Sequence, residues 1–159
     1  MTIQINDKMP AVTLNVFGEK GPQDVTTDEL FANKKVVLFA VPGAFTPGCS
    51  MTHLPGFVAN ADKIKAKGVD RIICLSVNDA FVMHAWGEAQ NASEIIMLAD
   101  GNGQLSEALG LTQDASANCM GVRAQRFAMI VEDGVVTTLN VEPVRGVDVS
   151  SAETMLGLL

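Results

Sequence analysis

A chain of 159 residues suits one domain with a single sizeable core, since two domains would each be short of buried area. Hydrophobic residues make up 48% and charged residues 18%, which excludes a disordered chain. Eleven basic against eighteen acidic residues give a formal charge of −7, which repels phosphate backbones and anionic membranes and leaves a small neutral substrate as the natural ligand.

In chain order, KVVLFAV (35–41) is a short, apolar, β-branched run of the kind that forms a strand buried on both faces, and it stops at Pro42-Gly43. From residue 46 to 67 the apolar side chains Met51, Leu54, Val58, Ala61 and Ile64 recur at helical intervals, Gly68 closes the stripe and Pro55 is expected to kink it. RIICLSV (71–77) is a second buried strand, so the three elements predict a right-handed βαβ unit with a parallel pair. A helix capped by Asn78 or Asp79, a strand in EIIMLAD, a GNG turn and a short helix in QLSEALG follow. Asp133-Gly134 between two alternating runs predicts an antiparallel hairpin, and Ser150 or Ser151 caps a last helix. Residues 18–28 and 112–124 are expected to be surface loops. The sum is an α/β chain, residues 1–159 as one domain, with a mixed central sheet flanked by helices on the thioredoxin-like plan.

Three cysteines, Cys49, Cys74 and Cys119, are odd in number and far apart, which argues against a disulfide framework and for a reducing compartment. There is no C-x-x-C, and the two histidines, His53 and His84, are distant in sequence, so no metal site and no cofactor are expected. The start of the chain has no leader-like pattern and no apolar run approaches the ~20 residues of a membrane span, which reads as cytoplasmic with no membrane or nucleic-acid partner.

Cys49 stands out. With Thr46 as N-cap and Pro47 as first helical residue, Cys49 falls in the first turn, where free N–H groups and the helix dipole favour a thiolate. It also follows a strand end, where open α/β sheets place their sites. The competing reading is a small buried hydrophobe, the role of most lone cysteines. His53, four residues on, raises a Cys-His pair, but no oxyanion hole or third orienting group is identifiable, and a supporting polar role is preferred. A cysteine phosphatase fails because the residues just after Cys49, Ser-Met-Thr-His-Leu-Pro, include no arginine to bind phosphate.

Pro42, Thr46 and Cys49 form P-x3-T-x2-C within PGAFTPGCSMTHLPGF, which resembles the active-site signature of the type II peroxiredoxins, the peroxiredoxin-5 subfamily. The similarity continues through CLSVNDAFVMHAW, QRFAMIVEDG and LNVEP, nearly the whole chain. The resemblance implies a thioredoxin-like fold and a thiol peroxidase that reduces hydrogen peroxide and alkyl hydroperoxides through a Cys49 sulfenic acid. It makes Cys49 the peroxidatic cysteine, Thr46 the hydroxyl that holds the peroxide, Pro42 the shield of the pocket, and Arg126 the arginine beside the sulfur, with Arg123 as its rival. Phe45, Gly48 and His53 are expected around the substrate.

The resolving thiol is open. Cys74 matches a second cysteine of plant-type members, yet a packed core cysteine fits IICLSV equally well. The C-terminal region VRGVDVSSAETM, where animal members carry theirs, has none, and Cys119 matches no subfamily position. An external donor, glutathione with glutaredoxin or else thioredoxin, therefore leads, and either route needs the first helical turn to open, which Gly48 and Pro55 favour. Phe45, Phe81 and Trp86 are expected to wall the pocket or to join a homodimer interface. Two rival readings are a general thiol–disulfide oxidoreductase and a non-catalytic redox sensor.

Overall fold

The computed structural model describes residues 1–159. Its nine strands and five helices run in the order β1 (Thr13–Gly18), β2 (Gly21–Thr26), α1 (Thr27–Phe31), β3 (Lys35–Ala40), α2 (Leu54–Ala66), β4 (Arg71–Ser76), α3 (Ala80–Ala89), β5 (Ile96–Ala99), α4 (Gln104–Leu109), β6 (Thr112–Asp114), β7 (Val122–Ala124), β8 (Phe127–Glu132), β9 (Val135–Val141) and α5 (Ala152–Gly157). Seven strands form one mixed sheet in the order β2-β1-β5-β4-β3-β8-β9, and β6 pairs with β7 separately. The expected βαβ unit is β3-α2-β4, with β3 and β4 parallel from Val36↔Arg71 to Ala40↔Leu75. The expected hairpin is β8-β9, where Asp133 and Gly134 both take positive φ, as a type I′ turn requires.

Side chains alternate across a strand with period two, so the central strands feed two cores. Val37, Phe39, Ile72 and Cys74 face α2, α3 and α5 together with Phe57, Trp86 and Met155. Val36, Leu38, Ile73 and Leu75 face the other way, against Leu30, Phe31, Leu105 and Leu109. Burial on both faces explains why KVVLFAV and RIICLSV carry no polar alternation.

Both expected loops are in part structured. Residues 21–26 form β2, antiparallel to β1 from Thr13↔Thr26 to Gly18↔Gly21. The strand lies at the sheet edge, where only Val25 is buried and Pro22 forfeits no interior ladder bond, so it has no hydrophobic pattern to read. Thr26 then caps α1: its hydroxyl accepts from the Glu29 N–H at 3.1 Å and donates to Glu29 Oε1 at 3.2 Å. In the second segment, Thr112–Asp114 pairs with Val122–Ala124, and Cys119 sits exposed in the connection at φ 58°.

The helix after β3 also differs from expectation. Cys49–His53 is a π turn, with the Leu54 N–H donating to the Cys49 carbonyl, before the regular α2 begins. The expected disturbance at Pro55 thus lies in the preceding turn, because proline lacks the N–H and its ring crowds the carbonyl four residues back. No helix is long and apolar enough to cross a membrane.

Candidate active site

Strand β3 ends at the sheet centre, and its C-terminal edge delivers the loop that carries Pro42 to Gly48. Asn78 locks this loop from the end of β4: its Oδ1 accepts from the Ala44 N–H at 3.0 Å and from the Ser76 hydroxyl at 2.6 Å. Asp79, not Asn78, is the cap of α3, accepting from the Val82 N–H. Thr46 stands where a cap was expected, but its hydroxyl donates to the Gly43 carbonyl at 2.7 Å and its own carbonyl takes the Ser50 N–H. The Oγ1 lone pairs are left available to a ligand.

Cys49 is fully buried, and Arg126, from the connection between β7 and β8, reaches it: Nη2 lies 3.2 Å from Sγ. The same guanidinium donates through Nη1 to His53 Nδ1 at 2.8 Å, and His53 Nε2 donates to the Ser150 carbonyl at 2.9 Å. Both ring nitrogens are thereby assigned, and the imidazole is neutral. Burial first, and the Arg126 charge second among the lowering effects, bring its pKa from 6.5 to about 4, although the Ser150 carbonyl acts the other way. His53 therefore orients Arg126 and has no free nitrogen to deprotonate Cys49. Of the two arginines weighed from sequence, Arg126 is at the sulfur; Arg123 holds the Met120 carbonyl at 2.8 Å.

Gly48 has a spatial reason. A Cβ at that position would lie 3.1 Å from Arg126 Nη2, so the missing side chain gives the guanidinium its approach to the sulfur. Beyond Arg126 opens a cavity of about 740 Å³ whose lining includes Pro42, Thr46, Gly48, Arg126 and the 142–147 loop. Phe45 and His53, expected around the substrate, do not line it. Phe45, at φ 64°, turns its ring outward to 56% exposure, and His53 lies behind Arg126. Trp86, expected in a pocket wall or an interface, is wholly buried in the core and donates its indole N–H to Ser50 Oγ at 2.9 Å.

Cys74 lies in the same core cluster as Cys49, buried in the sheet centre and paired on both sides, with Phe39 of β3 and Met97 of β5. Burial pushes its thiol well above the usual range, the Cys49 sulfur adds to this, and Arg126 offsets part of it. Two participants had no signal in the sequence pattern, Ser150 and Glu142. Glu142 Oε2 accepts from the Asp148 and Ser150 N–H groups at 2.8 Å and from the Ser150 hydroxyl at 2.5 Å, which ties down the loop whose carbonyl holds His53.

A buried cysteine held by an arginine at a helix start beneath a cavity is arranged for a sulfur-centred reaction in which negative charge develops on the attacking and leaving atoms. Comparison with known proteins points the same way. The Redoxin family model matches residues 4–156. Peroxiredoxin-2E-2, chloroplastic, of Oryza sativa subsp. japonica is 49% identical over 99% of this chain and 73% of its own length, and peroxiredoxin-2B of Arabidopsis thaliana is 46% identical over 99% and 98%. A crystal structure of reduced Prx3 from Vibrio vulnificus in complex with H2O2 is 56% identical, covers 99% of both chains and superposes with a TM-score of 0.96. The chain belongs to the Redoxin family and is a type II peroxiredoxin, a thiol peroxidase on a thioredoxin-like fold.

Proposed function

We propose that the enzyme reduces hydrogen peroxide and alkyl hydroperoxides at Cys49 and is recycled by an external thiol. The carrying observation is the 3.2 Å contact between Cys49 Sγ and Nη2 of Arg126, a residue that lines the cavity. The Cys49 thiolate attacks the terminal peroxide oxygen, the S–O bond forms as the O–O bond breaks, and the leaving oxygen departs as hydroxide or alkoxide and takes up a proton from water. Thr46 Oγ1 accepts from the peroxide O–H, while Arg126 and the Cys49 N–H stabilise the charge passing to the leaving oxygen. Pro42 closes one wall against water. The H2O2 complex of the Vibrio vulnificus relative supports the substrate assignment.

The product is a Cys49 sulfenic acid, which an incoming thiol converts to a mixed disulfide with release of water. Glutathione with glutaredoxin, or thioredoxin, is favoured as donor over Cys74. The Cys74 thiol is held protonated inside a strand that is paired on both sides, so an internal disulfide would require all of the movement to come from the Cys49 turn. A reducing, cytoplasmic location belongs to the same reading, because an odd number of widely spaced cysteines suits no disulfide framework. A homodimer is supported by the exposure of Phe45, Met51 and Phe81 on one apolar chain of this size.

The test is intact mass and peptide mapping after a small excess of hydrogen peroxide without donor. Oxygen added at Cys49 alone is expected. A Cys49–Cys74 disulfide would replace the external donor in the first step by internal resolution, and no rapid change at Cys49 would sink the peroxidase cycle. Slow, stoichiometric consumption with donor present would favour the redox sensor, and insulin reduction without peroxidase activity would favour the general oxidoreductase.

A further inference from the structure

The mouth of the cavity carries charge opposite in sign to the molecule. The chain has a formal charge of −7, yet the cavity lining includes Arg126, Arg145 and a single acid, Glu142. Arg123 stands behind the same wall, its Nη1 directed at the Pro42 carbonyl and 3.2 Å from where a Gly43 Cβ would lie. Glu142 remains a carboxylate, tied down by three hydrogen bonds from Asp148 and Ser150, and offsets one of the two charges, so the lining is left positive by the excess of arginine over acid. Asp114 and Asp148, the other acids of the surrounding segments, contribute nothing to the lining.

The two lining arginines are used differently. Arg126 is committed inward, to Cys49 and His53. Arg145 is exposed and belongs to neither of the ion pairs of the chain. A free guanidinium presents a planar fork that matches a carboxylate through two parallel N–H bonds. At the rim of a recess, low-dielectric walls concentrate its field at the entrance. Met120, Val144 and Val147 add apolar surface to the same lining.

We infer that Arg145 selects small reactants that carry a carboxylate on their way to Cys49. This rests on the peroxidase cycle proposed above. Two reactants of that cycle can bring the group, an organic hydroperoxide bearing an acid and a thiol donor such as glutathione, and both pass the same mouth.

Stopped-flow fluorescence of Trp86, the single tryptophan, reports each half of the cycle, since its indole bonds to the residue after Cys49. Oxidation is compared for cumene hydroperoxide and its para-carboxylate, and reduction of the oxidised protein for glutathione and its diethyl ester. Each ratio is taken within one protein, so a general loss of reactivity in a variant cancels. At low salt the acid is expected to react about fivefold faster in at least one pair, the scale of an exposed ion pair. Arg145→Ala brings the ratio near one, Arg145→Glu inverts it, and salt screens it in the wild type. A preference in the first pair identifies the hydroperoxide as the carrier, and one in the second identifies the thiol. Ratios near one in the wild type, or a preference that both variants retain, overturn the inference. Slow oxidation of wild-type Cys49 by hydrogen peroxide would instead sink the underlying cycle, whereas fast oxidation with unselective ratios removes only the role of Arg145.

Discussion

At the scale of single residues, Arg126 joins the chemistry to its support, with one nitrogen on sulfur and another on His53. Arg126→Gln keeps a planar donor but removes the charge, and oxidation of Cys49 by hydrogen peroxide is expected to slow by about 10²–10³-fold, as when a donor to a developing anion is lost. Gly48→Ala tests the approach of the same guanidinium. Its Cβ would press on the far end of a flexible side chain at 3.1 Å, so thermal stability is expected to hold while the oxidation rate falls several-fold. His53 has a pH signature. Its folded pKa of about 4 lies below 6.5, so between these values the unfolded chain binds a proton that the native chain lacks. Stability is complete above pH 6.5 and declines as pH falls towards 4, by about 3 kcal/mol in all. His53→Gln is expected to flatten this part of the profile of melting temperature against pH.

At the scale of elements, the loop after β9 acts as a tether between the surface and the buried site. Burial acts to raise the Glu142 pKa, but the Ser150 hydroxyl and the N–H groups of Asp148, Ser150 and Val149 outweigh it and hold the carboxyl below the usual range. Its contribution is present above the ordinary carboxylate pKa and is lost as pH falls through the lowered one, on the acid side of the His53 decline. Glu142→Ala is expected to cost about 1–2 kcal/mol, the scale of hydrogen bonds to a charged acceptor, in denaturant unfolding. It should also slow Cys49 oxidation, because the Ser150 carbonyl no longer fixes His53. The elements themselves were unequally legible. β3, β4, α3 and the β8-β9 hairpin follow from apolar runs, a cap and an Asp-Gly turn, each a local signal. β2 and the β6-β7 pair are short, polar and peripheral, and their pairing comes from the strand beside them. The π turn was not legible either, since Pro55 announces a disturbance without saying which turn absorbs it.

At the scale of the whole molecule, one sheet with apolar cover on both faces holds Cys49 and Cys74 in a common core while leaving Phe45 and Phe81 outside. Burying exposed aromatic rings between two copies is stabilising in proportion to the area removed from water, and a charge placed there opposes it. For the proposed homodimer, wild-type protein is expected to sediment as a dimer and Phe81→Asp as a monomer, with the fold retained because Phe81 is 62% exposed in the single chain. A wild type that sediments as a monomer would overturn the dimer, and a dimer unchanged by the substitution would place the interface elsewhere.

Sequence alone determined the fold class, the order of the central elements and the position of Cys49 in a first helical turn, because strand runs and caps are local in the chain, while the choice of Pro42, Thr46 and Arg126 around it came from the resemblance to type II peroxiredoxins. Tertiary structure decided what those residues touch. Arg126 meets a sulfur 77 residues away, His53 meets a carbonyl 97 residues away, Trp86 turns inward and Phe45 outward. Such contacts arise where the sheet brings distant strand ends and loops together, and no periodicity in the chain encodes a distance across that gap.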